Sequence, residues 1–299
     1  MYKVNEDVKK RVYEAFGRNE EMVEDDVNII KSWMQTQPHL PETMEDVKIR
    51  NFLNLNKFSI EKTKEKIDMY YTIRSVIPDV FEVNNLKCEK LENLFKDTYF
   101  FTFPKAVNGA HCVYFVKPKT PDTVNLLEVI NVWFAIFEIR LSEDFMVDDI
   151  VIVDFENFSL SDIKQCTPTI VSKFFAVYKK VYALRLKKLI YVNCPSFTSV
   201  LVSVLKAVMK PKIFTRLELH EDAAVLKDFF PQDELPRDYG GEGPSLDQLN
   251  GNMKKKLFEY ENRLQHVYKL RVNETLRPQK LNNDEILGFY GSFKKINVD

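Results

Sequence analysis

Basic and apolar residues occupy alternate blocks between Lys179 and Gly241. The segment VYALRLKKLIYVN (181–193) carries Arg185 and Lys187, two apart and so on one face of an extended chain, ahead of the apolar run Leu189, Ile190, Tyr191 and Val192. That run predicts a strand covered on both faces. In the following PSFTSVLVSVLKAVMKP, Phe197, Val200, Leu201, Val204, Leu205, Val208 and Met209 keep i, i+3, i+4, i+7 spacing, which predicts a helix over 197–209 with one full apolar face. The other face holds Thr198, Ser199, Val202, Ser203, Lys206 and Ala207, so its one charge is Lys206. The helix would be roughly 20 Å long, too short for a hydrocarbon core of about 30 Å. It is either a core helix covered on both sides or a movable gate, closing a pocket with one face and meeting lipid with the other. Lys212 and Arg216 follow, four apart and neighbours if the chain turns helically there. An apolar compartment with cations around its mouth is suited to a water-insoluble molecule handled beside an anionic surface.

Catalytic chemistry finds no comparable constellation. His39, His111, His220 and His266 are scattered, and neither G-x-S-x-G nor a metal-ligand spacing occurs. Asp154 and Glu156 are close in VDFEN, but alternation along a strand would put them on opposite sides. Gly240, Gly241 and Gly243 do not lie between a strand and a helix with Lys-Ser/Thr behind them, and are predicted to form a tight turn. Cys88, Cys112, Cys166 and Cys194 are widely spaced, so neither a zinc site nor a disulfide framework is expected. The expectation is a non-enzyme with no cofactor and no metal.

Composition sets further bounds. The 299 residues can bury a large core, and a formal charge of -1 gives no global pull toward nucleic acid, leaving local patches to supply any electrostatic docking. MYKVNEDVKKRVYE at the start lacks the apolar core of a signal peptide. The most membrane-like stretch, 124–141, contains Glu128, Asn131, Glu138 and Arg140, which predicts a buried globular helix instead of a span. A cytoplasmic protein with reduced thiols is expected.

The elements that must position these residues fall into two parts. Up to about residue 85 the chain reads as helices, with periodicity over 27–34, a break at Pro38 and Pro41, and Ser59 capping a helix that stops before Pro78. A short helix is expected within 86–98, then strands at 112–117 and 149–155. A helix is expected over 124–141 and another over about 161–183, followed by the strand near Tyr191, the gate candidate and FTRLELHE (214–221). Such alternation predicts an α/β class domain with a mostly parallel sheet flanked by helices. The charged segment 245–278 is expected to be helical and to pack across the body.

LIYVNCPSF (189–197), MKPKI (209–213) and FFPQDELPRDYGG (229–241), in that order, resemble the CRAL-TRIO lipid-binding family. The segment 49–81 is similar to its helical N-terminal half, so the resemblance covers about 25–250. It implies a helical N-terminal CRAL-TRIO-N region (1–85), a lipid-binding domain enclosing a hydrophobic pocket (86–250) and a C-terminal helical extension (251–299). The function implied is binding and transfer of a tocopherol, a retinoid or a similar isoprenoid. In the tocopherol and retinaldehyde branch a cleft of four cations binds a polyphosphorylated phosphoinositide, and the resemblance puts Arg185, Lys187, Lys212 and Arg216 at those positions. The partners implied are thus a hydrophobic lipid and, peripherally, a phosphoinositide-bearing membrane. The alternatives are phospholipid transfer or a phosphoinositide-sensing module without cargo. Leu184 stands where the phosphatidylinositol-transferring branch has Glu, which argues against an internal inositol site. Asn54, Asn56 and Ser59 replace two Arg and an Asp of the N-terminal signature. A lipid pocket needs apolar lining, for which the candidates are Trp133, Phe134, Phe137, Val153, Phe155, Phe174, Phe175, Tyr178, Val192, Phe197 and Leu201.

Overall fold

The computed structural model describes residues 6–107 and 111–278. Four helices come first: α1 (Glu6–Ala15), α2 (Glu20–Gln35), α3 (Asp46–Leu55) and α4 (Ile60–Val76). Ser59 caps α4 by accepting the amide of Lys62, and the helix stops ahead of Pro78, as the sequence predicts. After α5 (Cys88–Asp97) the chain forms β1 (Thr98–Thr102) and β2 (His111–Pro118), an antiparallel pair. Helix α6 (Leu126–Glu143) then leads to β3 (Asp148–Asp154), which lies parallel to β2.

The single helix expected over 161–183 is instead three pieces: α7 (Leu160–Lys164), α8 (Pro168–Ala176) and a π turn (Val177–Val181). Pro168 breaks the run. It disfavours helical geometry at Thr167, whose hydroxyl caps α8 by accepting the amide of Ile170. Next come β4 (Leu186–Val192), α9 (Thr198–Val208), α10 (Pro211–Phe214) and the short β5 (Leu217–Leu219). The sheet order is β1-β2-β3-β4-β5, parallel except at β1. Helices α11 (Leu226–Phe229), α12 (Leu246–Glu259) and α13 (Glu261–Lys269) complete the chain. On α12, buried Asn250 accepts the amide of Phe100 and donates to the carbonyls of Phe95 and Thr98, fixing the helix to β1.

One face of the sheet packs on α6. There Tyr114 stacks on Trp133 and Arg140 reaches the Tyr114 hydroxyl at 2.9 Å. The other face meets the 223–243 segment, through Phe115 on Tyr239 and Phe103 on Phe230. The N-terminal helices dock on the far side of α6 through a buried polar knot. Glu138 accepts Arg74 at 2.9 Å, Tyr182 at 2.6 Å, Tyr70 at 2.7 Å and Lys48 at 3.4 Å. Burial opposes ionisation of Glu138, yet Lys48 and Arg74 together with the tyrosine hydroxyls hold its pKa below the usual carboxylate value. Asn51 and Asn54 add amide donations to the carbonyls of Leu141, Asp144 and Met146.

Candidate functional site

A cavity of about 160 Å³ lies between the α6 face of the sheet and helices α6, α8 and α9. All of its lining side chains are apolar or aromatic. The sheet contributes Val116, Val151, Val153, Leu189 and Tyr191, and α6 contributes Leu126, Val129, Ile130 and Trp133. Ile170, Val171, Phe174 and Phe175 come from α8, Tyr178 from the π turn, and Leu201 and Leu205 from α9. Phe155, Phe158, Ile163 and Cys166 close one end.

Of the eleven candidates named from sequence, Trp133, Val153, Phe155, Phe174, Phe175, Tyr178 and Leu201 line this cavity, and Phe134, Phe137, Val192 and Phe197 do not. Helix α6 is buried nearly all round, so its periodicity cannot say which aromatic faces which neighbour. Phe134 stacks on Phe81 and Tyr182, and Phe137 packs on Tyr182, on the side of the N-terminal helices. Val192 misses by the alternation of β4, which turns Leu189 and Tyr191 inward. Phe197 sits at the N-cap of α9, half-buried. Helix α9 also presents a narrower inner face than its spacing predicts. Thr198, Leu201 and Leu205 are buried, whereas Val200 is 47% exposed.

The root of α9 is pinned to the sheet. β3 ends at Asp154, whose fully buried carboxylate accepts Asn193 Nδ2 at 2.8 Å, the amide of Glu156 at 2.9 Å, Lys117 Nζ at 3.1 Å and the Tyr239 hydroxyl. Asn193 has φ 52°, a left-handed geometry that Asn tolerates, and its Oδ1 accepts the amide of Ala223 at 3.1 Å. The motif residues Asn193 and Tyr239 thus meet on one carboxylate. Because the strand stops at Asp154, Glu156 is not on the opposite side as alternation predicts. Both carboxylates contact Lys117. The expected tight turn is present: Gly240 has φ 76°, and a Cβ on Gly241 would lie 2.1 Å from the Leu235 carbonyl oxygen.

The four cations named from sequence sit differently from one another. Arg185 is half-buried and donates to the carbonyls of Asn54 at 2.8 Å and Leu55 at 3.3 Å, at the C-terminal end of α3. Lys187 is exposed at a bulge: Leu186 pairs with Asp149 and Lys188 with Ile150, so the strand alternation that would align Arg185 with Lys187 is interrupted. Lys212 is exposed on α10, and Arg216 is half-buried just before β5. Three further cations that the sequence reading left out stand near them. Burial lowers the pKa of Lys179 to about 8, helped by Arg216, Arg185 and Lys210. Burial also lowers that of Lys66, helped by Lys180 and Lys210. Among the described residues, Lys66, Lys179, Arg185, Lys187, Lys210, Lys212 and Arg216 make no ion pair, although nearby Lys173 and Lys188 pair with Asp79 and Glu218. Lys179 and Lys210 flank stretches already noticed as basic; Lys66 lies on α4 and carried no such signal.

An apolar compartment between a largely parallel sheet and a short helix, preceded by a helical region, defines a lipid-binding α/β domain. Residues 96–241 match the CRAL/TRIO domain and residues 19–91 the Pinta-like UBA domain. The chain belongs to the CRAL-TRIO family, whose members are lipid-binding transfer proteins. The alpha-tocopherol transfer protein-like proteins of Homo sapiens and Mus musculus are each 26% identical to it over 256 residues, covering 83% of this chain and 74% of theirs. Clavesin-1 of Xenopus laevis is 24% identical over 243 residues, 77% of this chain and 71% of its own. The crystal structure of Sfh5 aligns with a TM-score of 0.47 and 15% identity over 86% of this chain and 98% of that one. Among the described residues no helix is long and apolar enough to cross a membrane, and no group of three or more His, Cys, Asp or Glu could hold a metal.

Proposed function

We propose that this chain carries a hydrophobic lipid of the tocopherol, retinoid or similar isoprenoid class in the cavity behind α9. Release occurs at membranes whose phosphoinositide headgroups engage Arg185, Lys187, Lys212 and Arg216. The observation that carries this reading is that cavity wall and cation field adjoin. Tyr178 lines the cavity, and the next residue, Lys179, lies in the field of Arg185 and Arg216. A wholly apolar lining rewards an apolar guest at roughly 25 cal/mol per Å² of surface removed from water, so tight binding requires no covalent step. The unpaired cations repel one another, and a multiply charged anion relieves that repulsion. Helix α9 acts as the gate, and residues 86–250 form the carrier domain between the helical parts 1–85 and 251–299. The setting is cytoplasmic, with peripheral membrane contact. The name alpha-tocopherol transfer protein-like, borne by relatives, agrees with this cargo class.

Lipid binding and anion binding are then linked, so that anion engagement favours the open gate. Replacing Arg185, Lys187, Lys212 and Arg216 together by Ala should slow transfer to phosphoinositide vesicles while ligand affinity stays nearly unchanged. Equal loss of both, or of neither, contradicts the mechanism.

A further inference from the structure

Beside the four cations already considered, the π turn brings up another. Lys66 on α4 donates its Nζ to the carbonyls of Lys179 at 3.2 Å and Lys180 at 2.7 Å, clamping that turn from the N-terminal helices. Lys179 in turn donates to the carbonyl of Leu184 at 2.7 Å, which holds its ammonium group beside the start of β4, where Arg185 follows. A lysine half-buried among cations, with a carbonyl for a partner and no carboxylate, is costly to keep unless something anionic visits it.

We propose that Lys179 is itself an anion-binding residue of this site, acting with Arg185, Lys210 and Arg216 on one phosphate monoester while exposed Lys187 and Lys212 meet another, so that the preferred headgroup is a polyphosphorylated inositol. Lys66 is a positioning residue that fixes the turn. This assignment rests on the phosphoinositide reading above and adds a residue and a pH dependence to it. The charged groups facing Lys179 are Arg216, Arg185 and Lys210, which depress its protonation, and Asp149, which favours it. Asp149 is itself committed to Arg140 at 2.6 Å and Tyr178 at 3.2 Å. With a pKa of about 8, the free amine is half-charged near that pH, and a bound phosphate, carrying roughly two negative charges, draws the proton on. Affinity for the anion therefore falls as pH rises beyond about 8.

The test is binding of soluble inositol 1,4,5-trisphosphate, and separately of phosphatidylcholine vesicles with and without phosphatidylinositol bisphosphate, by the full chain at pH 7 and pH 9. The original chain should lose affinity several-fold between the two. Lys179→Met should bind several-fold more weakly at pH 7 and lose the pH dependence. Lys179→Arg, which stays charged, should keep pH 7 affinity and also lose the pH dependence. Retained binding of a hydrophobic lipid by each variant reports that the fold survives. If Lys179→Met binds both probes as the original chain does, with the same pH dependence, Lys179 is no part of the site. If the four-cation Ala variant also binds unchanged, the phosphoinositide reading itself fails. Binding to vesicles but not to the soluble headgroup assigns the site to the lipid form, and equal binding assigns it to the free headgroup as well.

Discussion

The side-chain amide of Asn193 donates to Asp154 at 2.8 Å, joining the turn before α9 to the buried end of β3. The same carboxylate holds Tyr239 of the glycine-rich turn, so one group ties the gate's root to the segment covering the opposite face of the sheet. Removing the Asn193 amide leaves part of a buried carboxylate and the amide of Ala223 without a partner, at a cost of about 1–3 kcal/mol. Asn193→Ala should accordingly lower thermal stability and speed spontaneous escape of a bound lipid. Asn193→Gly restores the backbone freedom that φ 52° demands but not the hydrogen bonds. It should remain destabilised, as thermal melts and lipid-retention times would show; full recovery in Gly would assign the effect to backbone strain.

Glu138 predicts a pH effect of definite sign. Its folded pKa is held below the unfolded value, so the stability it contributes is present above about 4.5 and is lost as pH falls through the lower folded value. Arg74→Leu strands this carboxylate at a fully buried site and should cost about 3–5 kcal/mol. Urea melts at pH 7 and pH 4 check both statements: the variant should be much weaker at pH 7, and the gap should narrow at pH 4 as Glu138 takes up a proton.

Cavity filling separates carrying from mere folding. Val129 lines the cavity from α6, and Val129→Phe places a ring in a space of about 160 Å³ at an overpacking cost of about 1–3 kcal/mol at most. The variant should fold, retain little lipid after incubation with a lipid extract, and still bind phosphoinositide vesicles. Undiminished lipid retention would place the cargo elsewhere.

Gly241 tests the closing turn. A methyl group there collides with the backbone of Leu235, so relief requires the chain to move. Gly241→Ala should lower the melting temperature, whereas Gly251→Ala, with open space around its Cβ position, should be neutral or slightly stabilising on α12. Equal effects at both sites would deny the close approach.

Much of this arrangement was legible in the chain. Apolar runs at 112–117 and 149–155 and the spacing of 197–209 carried the α/β class and the gate candidate, and Ser59 and Pro78 marked both ends of α4. Phe134, Phe137 and Val192 show where that reading ends. In a helix buried nearly all round, 3.6-residue periodicity holds no contrast between a cavity and a neighbouring helix, and in a strand covered on both faces alternation says which residues share a face but not which face is which. The bulge at Lys187 adds a local offset that spacing cannot reveal. Lys66 joins the cation field only because α4 packs on the π turn, a contact across more than a hundred residues that no local pattern encodes. Asn54 and Asn56, where the family signature has Arg, donate to the carbonyls of Met146 and Phe52, while Arg185 caps the end of the same helix from the other side of the chain.

The most direct test of the carrier account is to incubate the purified chain with a lipid extract, reisolate it and identify what stays bound by mass spectrometry, before and after exposure to phosphoinositide vesicles. The account predicts a stoichiometric hydrophobic lipid that is retained with phosphatidylcholine vesicles and lost to those bearing phosphatidylinositol bisphosphate. An empty protein that still binds the phosphoinositide vesicles would contradict it and identify a membrane-sensing module instead.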